Sequence, residues 1–194
     1  PGAEVRVARC DVTVSDDVAA AVATAAGPDG RLDIAVAKAG SAVPGPFLLL
    51  TDDAWRFCCE LNIIGTASTF RHAALAMREH GGSLVAISTA ASSAPEVSMA
   101  AYTSTKAAVD MMVKAAAWEL GAFRIRVNSI LPGYVPTDAT EGSFSPAMVD
   151  DLRERTALDR FGTPADIGAL VVHLSRPDGW ITGQVIRMDG GASM

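Results

Sequence analysis

Short apolar runs alternate with amphipathic stretches along the chain, and the period switches between the two. Residues 4–9 (EVRVAR) alternate with period two and predict a strand. Ser15 is a candidate N-cap, and 16–26 then read as a helix with Asp16 and Asp17 in its positive first turn. Residues 32–37 (LDIAVA), 83–88 (SLVAIS), 124–131 (RIRVNSIL) and 184–188 read as further strands. Thr51 caps a helix predicted to run through Asn62 to about Glu79, and 80–82 form a turn. Residues 99–121 predict a long helix rich in Ala and Met. Residues 146–157 predict a looser polar helix, and 164–175 a helix with Pro164 at its first position.

Apolar strands that do not strictly alternate, each followed by a helix, imply a parallel sheet covered on both faces. The expected fold is α/β, a doubly wound Rossmann-like sheet, with 1–194 as one domain. Such sheets bind ligands beyond the carboxyl ends of their strands. Those ends carry Ala37-Lys38-Ala39-Gly40, then Ser88-Thr89 with Ser92 and Ser93, then Pro132-Gly133-Tyr134-Val135-Pro136-Thr137. They are expected to converge on one crevice.

The long predicted helix adds chemistry to that crevice. Tyr102 and Lys106 are four apart and share a helix face. An ammonium beside a phenol favours the phenolate, so Lys106 is expected to acidify Tyr102. Such a tyrosine can give a proton to a carbonyl oxygen or take one from an alcohol. Thr89 or Ser88 could hold the same oxygen. The spacing alone also arises by chance on helix surfaces. Only two tyrosines and three lysines occur in the chain, however, and Tyr134 has Asp138 rather than a lysine at the same offset.

Composition narrows the partners. A net charge of −6 with no basic run argues against nucleic acid and anionic membranes. No apolar stretch approaches the ~20 residues of a membrane span. Pro1 to Arg9 lacks the apolar core of a signal peptide. Three cysteines, two of them adjacent (Cys58 and Cys59), do not form a disulfide framework, and a cytoplasmic setting is expected. His72, His80 and His173 lack metal-ligand spacing, so no metal is assigned. Asp52/Asp53 and Asp150/Asp151 read as helix-end or solvated pairs, and the run from Ala107 to Ala117 as core or subunit contact.

Taken in order, these motifs resemble the classical short-chain dehydrogenases/reductases over essentially the whole chain. Asp11-Val12 resembles the family's adenine-contacting pair, and Ala39-Gly40 the end of its Asn-Asn-Ala-Gly motif. Asn62 resembles the helix asparagine that anchors a relay water. Tyr102-Thr103-Ser104-Thr105-Lys106 resembles the Tyr-x-Ala-Ser-Lys signature. Arg126-Val127-Asn128 with Pro132, Gly133, Val135 and Thr137 resembles the segment that holds the nicotinamide carboxamide. Thr182-Gly183-Gln184 and Asp189-Gly190-Gly191 resemble the family's ending. Within the family the chain looks most like reductases of 3-oxoacyl thioesters and broad-range carbonyl reductases.

The resemblance implies hydride transfer between NAD or NADP and a small-molecule carbonyl or alcohol substrate, and the apolar lid segment favours a lipophilic or medium-sized one. Tyr102 would be the proton donor or acceptor, Lys106 would lower its pKa and hold the nicotinamide ribose, Thr89 would place the substrate oxygen, and Asn62 would support the relay. It also implies a homodimer or homotetramer built on a four-helix bundle, and a substrate lid that includes Phe144, Met148 and Leu152. Three departures stand against the pattern. The family's first two strands and its phosphate-binding glycine loop have no counterpart, which should weaken dinucleotide binding and leave a parallel-strand edge exposed. Thr89 stands where the family has serine. Ala37-Lys38 replaces an asparagine pair, and Lys38 either adds a functional charge or is simply solvated. These departures leave an alternative: a cofactor-free relative doing dehydration or cyclisation, or acting as a binding subunit.

Overall fold

The computed structural model describes residues 4–94, 96–137 and 145–192. Among them four parallel strands form one sheet: β1 (Ile34–Ala37), β2 (Gly82–Ile87), β3 (Ile125–Pro132) and β4 (Val185–Met188), in the order β1-β2-β3-β4. Every step is parallel, and the register runs through Val36↔Val85, Val85↔Asn128 and Ile130↔Ile186.

Helices cover both faces, as the continuous apolar strands require. On one face α3 (Gly65–Met77) and α4 (Ala100–Leu120) bury Phe70, Met77, Val109 and Val113 against Leu84, Ala86, Ile125 and Val127. On the other, α6 (Pro164–Leu174) packs Ile167, Leu170 and Leu174 on Val85 and Ile130. Adjacent β2 residues Leu84 and Val85 therefore feed opposite cores, which follows from the two-residue side-chain period. α6 opens with a capping box. Thr163 Oγ1 accepts from Asp166 N–H at 3.2 Å, and Asp166 Oδ2 accepts from Thr163 N–H at 2.8 Å. α1 (Ser15–Ala26), α2 (Asp52–Cys58) and α5 (Pro146–Glu154) complete the α-helices of these residues.

Three expectations are corrected. Residues 4–9 are not a strand: among the described residues no strand pairs with them, and Val5 and Val7 are 80 % and 93 % exposed. Ser15 is not the cap of α1 but its first residue, and Val14 sits at the cap without a side-chain bond. Asp11 turns the chain earlier, its Oδ1 accepting from Thr13 N–H (2.9 Å) and Thr13 Oγ1 (2.7 Å), while its own N–H donates to Asp17 Oδ2 (3.0 Å). The helix expected from Thr51 onward does begin on a Thr51 cap, but it does not run uniformly. Residues Cys59–Ile64 form a π-helical segment between α2 and α3. Such bulges accommodate an inserted residue, and they favour functional sites.

Candidate active site

The π-helical segment carries Asn62, which is fully buried and uses its whole amide. Its Oδ1 accepts from Ser41 N–H, and its Nδ2 donates to Ser41 C=O and to Thr105 Oγ1, each at 3.0 Å. One side chain thus joins the segment after β1 to α4. Gly40 lies against this junction. A Cβ there would stand 2.9 Å from Asn62 Oδ1 and 3.1 Å from Lys106 Nζ, so a side chain would close the space above the lysine.

Lys106 is 4 % exposed and donates from Nζ to Ile87 C=O at 2.8 Å, at the end of β2. Burial pulls its pKa down to about 8, against the opposing field of Asp110. The ammonium also sits 5.8 Å from the centroid of the Tyr102 ring. Tyr102 is partly buried, and burial pushes its phenol up. A hydrogen bond with the Thr89 side chain pulls it down, and Glu96 pushes it up. Desolvation is the largest of these effects, so in this chain the phenol sits above its ordinary value, not below it as the Lys106 spacing predicts.

Thr89 and Ser88 separate as neighbouring residues leaving a strand do. Thr89 meets Tyr102 and accepts from Ala91 N–H at 3.3 Å. Ser88 is buried, and its hydroxyl donates to Lys106 C=O at 3.4 Å, pinning β2 to α4.

The remaining strand ends reach the crevice differently. Gly133 donates to Met188 C=O at 3.0 Å, and a Cβ on it would meet Asp189 at 2.7 Å, so β3 and β4 end in close backbone contact. Pro132 closes β3, Val135 lies against Gly162, and Thr137 is exposed. Val12 packs on Gly65, whose absent Cβ would fall 2.7 Å from its methyl, so Asp11-Val12 lies at the start of α3. Ala39 and Lys38 are exposed. Asn128, placed by resemblance in the carboxamide segment, is fully buried instead. It donates to Ile181 C=O (2.9 Å) and accepts from Gln184 N–H (3.1 Å), so two motifs far apart in sequence hold each other. Met148 is half exposed on α5, and Phe144 lies outside the described residues.

Sequence reasoning missed Asp110. The carboxylate is 8 % exposed and accepts from Ser92 Oγ at 2.5 Å and Ser129 Oγ at 2.8 Å. The signal was an acidic residue inside the apolar run from Ala107 to Ala117, at the same four-residue step beyond Lys106 that separates Lys106 from Tyr102.

Residues 2–193 match the family described as enoyl-(acyl carrier protein) reductase. The 7α-hydroxysteroid dehydrogenase of Escherichia coli (strain K12) is 32% identical over 192 residues, covering 98% of this chain and 75% of that protein. A short-chain type dehydrogenase/reductase of Mycobacterium ulcerans superposes with a TM-score of 0.88 at 39% identity, covering 94% of this chain and 68% of that one. The chain belongs to the short-chain dehydrogenases/reductases. A second solved structure superposes with the same TM-score, 0.88, at 32% identity, covering 95% of this chain and 72% of that one: a 7α-hydroxysteroid dehydrogenase complexed with NADH and 7-oxo glycochenodeoxycholic acid. This short-chain dehydrogenase/reductase is an oxidoreductase with a Rossmann-like sheet. No helix among its described residues is long and apolar enough to cross a membrane.

Proposed function

We propose that this chain transfers a hydride between NAD or NADP and a small carbonyl or alcohol substrate, with Tyr102 exchanging the proton. The observation that carries the reading is one cluster where the end of β2 meets α4. The Thr89 side chain lies beside the Tyr102 phenol and pulls its pKa down, and a buried ammonium stands 5.8 Å from the centroid of the same ring.

The crevice fits a nicotinamide nucleotide in two respects. Gly40 leaves open the space that a side chain would fill above Lys106. Among the described residues the Lys106 ammonium has one hydrogen-bond acceptor, Ile87 C=O, so two of its three N–H groups can serve ribose hydroxyls. Asp11, Val12, Ala39, Gly40, Pro132, Gly133, Val135 and Thr137 would complete the cofactor contacts. When bound, the cofactor supplies or accepts the hydride. For its part, Thr89 donates to the substrate oxygen and fixes it beside the phenol. Tyr102 gives its proton to that oxygen in reduction and takes it back in oxidation. Lys106 places a positive charge where the phenolate forms. The Asn62 side chain spends both N–H groups and one acceptor site on Ser41 and Thr105, which supports a part in holding the Gly40–Ser41 segment against Lys106.

The finer assignments rest on weaker supports. Exposed Leu75, Met111 and Trp118 on α3 and α4 support a homodimer or homotetramer. The three free thiols support a cytoplasmic setting.

The test is a titration of the 194-residue protein with NADH and with NADPH, followed by nicotinamide fluorescence and thermal shift, then turnover of carbonyl compounds. Binding that weakens in Lys106→Ala, with turnover lost in Tyr102→Phe, supports the reading. A folded protein that binds neither cofactor at millimolar concentration overturns it.

A further inference from the structure

Asp110 is a buried ionisable group to which the proton transfer above gives no part. Its two oxygens bind hydroxyls from different elements. Ser92 belongs to the turn after β2, where its own N–H donates to Thr89 C=O at 3.1 Å. Ser129 is fully buried on β3 and donates from its hydroxyl. One carboxylate on α4 therefore fastens the turn that carries Thr89 and the strand beside it to the helix that carries Tyr102 and Lys106. Rigid support of this kind sets how closely reacting groups are held.

Burying a carboxylate is costly unless its charge is answered. Two hydroxyl donors answer part of it. Lys106 lies one turn earlier on the same helix face, and the Asp110 field favours its charged form against the effect of burial. The other charged groups nearby lie further out. Arg187 of β4 hydrogen-bonds Ser93, next to Ser92, and pairs with Asp189 at 3.3 Å. Glu96 acts on Tyr102.

We propose that Asp110 is a positioning residue for this enzyme: through Ser92 and Ser129 it holds the Thr89 turn, the Tyr102–Lys106 helix and β3 in register, and it balances the Lys106 charge. This rests on the proton-transfer reading above. The two roles separate by substitution. Asp110→Asn keeps the shape and can still bond both serines, but removes the charge. Ser92→Ala and Ser129→Ala keep the charge and remove one tether each.

The experiment measures kcat and KM for carbonyl reduction across pH, with cofactor affinity and Tm recorded for each variant. Ser92→Ala is expected to lower kcat about tenfold, the size of one hydrogen bond to a charged group, with cofactor affinity and the pH profile unmoved. Asp110→Asn is expected to shift the high-pH limb of kcat/KM to lower pH by about one unit, because Lys106 loses the charge that favours its protonated form. If Asp110→Asn does not fold, the two serine variants carry the test. The proposal is overturned if the variants that fold lose Tm yet keep the parent's kcat and high-pH limb. That outcome leaves the proton-transfer reading intact so long as Tyr102→Phe remains inactive, whereas an active Tyr102→Phe sinks that reading itself.

Discussion

The middle of the sheet and its β1 edge are built from similar residues and behave differently. β2 and β3 are flanked by strands on both sides and by helices on both faces, and Leu84, Val85, Val127 and Ile130 are fully buried. β1 has a strand on one side only. Ile34 is 45 % exposed and Val36 39 %, although β1 reads as apolar as its neighbours. Beyond it residues 4–9 alternate like a strand and are not one. The side chains of the site distribute unevenly over this contrast. Thr89, Tyr102 and Lys106 stand on the buried half, Lys106 buried and the other two half-buried. Asp11, Lys38 and Ala39 stand on the open half, exposed to water. On the function proposed above, the groups that would exchange the proton are held by the sheet interior, while the residues proposed to meet the cofactor at Asp11 and Ala39 stand at the less supported edge.

The sharpest way to break this view is Tyr102→Phe. Loss of a positioned general acid costs about 10²–10⁴ in rate. Because the phenol is partly buried and adds little to the core, Tm is expected to stay near the parent's. A parallel fall in Tm and activity, measured by calorimetry beside steady-state kinetics, would mean that the hydroxyl is structural.

Next in size is Leu84→Ala. It removes a side chain held between α3, α4 and β3, and is expected to cost about 2–5 kcal/mol in denaturant unfolding. The contrast with the open edge predicts that Val36→Ala on β1 costs less than half as much.

Lys106→Met tests whether the buried half holds strain for the sake of the site. The lysine pKa falls from its ordinary 10.5 to about 8 on folding, so the charged form is disfavoured in the native state. That cost, about 3 kcal/mol, is fully present below pH 8, where both states are protonated. Between about pH 8 and 10.5 the unfolded chain binds more protons than the folded one, so the parent gains stability as pH rises. Methionine removes the effect. Tm of Lys106→Met is expected to exceed the parent's at pH 7, and the gap to close toward pH 10.5, while activity is lost. A variant less stable at every pH would show that the Ile87 hydrogen bond outweighs desolvation.

The legibility of the sequence follows the same division. β2, β3 and α4 were predicted within one or two residues, because a strand buried on both faces and a helix in an Ala-rich run leave strong local patterns. The Tyr102–Lys106 spacing and the Thr51 cap were legible for the same reason. The strand at 4–9 failed because alternation records what a segment could pair with, not whether a partner lies beside it. The π-helical segment was hidden because its cause is tertiary: Asn62 reaches Ser41 and Thr105, 21 and 43 residues away in sequence. Asp110 was hidden likewise, since Ser92 and Ser129 meet it only once β2, β3 and α4 are assembled.

The smallest expected effect completes the comparison. Val7 is 93 % exposed and touches no core, so Val7→Thr should change stability by no more than about 0.5 kcal/mol. The same substitution at Val85 keeps the shape but buries a hydroxyl between Ile130 and α6, where an unpaired polar group costs about 1–3 kcal/mol. Equilibrium urea unfolding of the two variants, with the slope m held equal to the parent's, reads the difference directly. A large loss at Val7 would mean that residues 4–9 pack on the molecule in solution. The open half would then be as much a part of the folded site as β2 and β3, and the division drawn between them would fall.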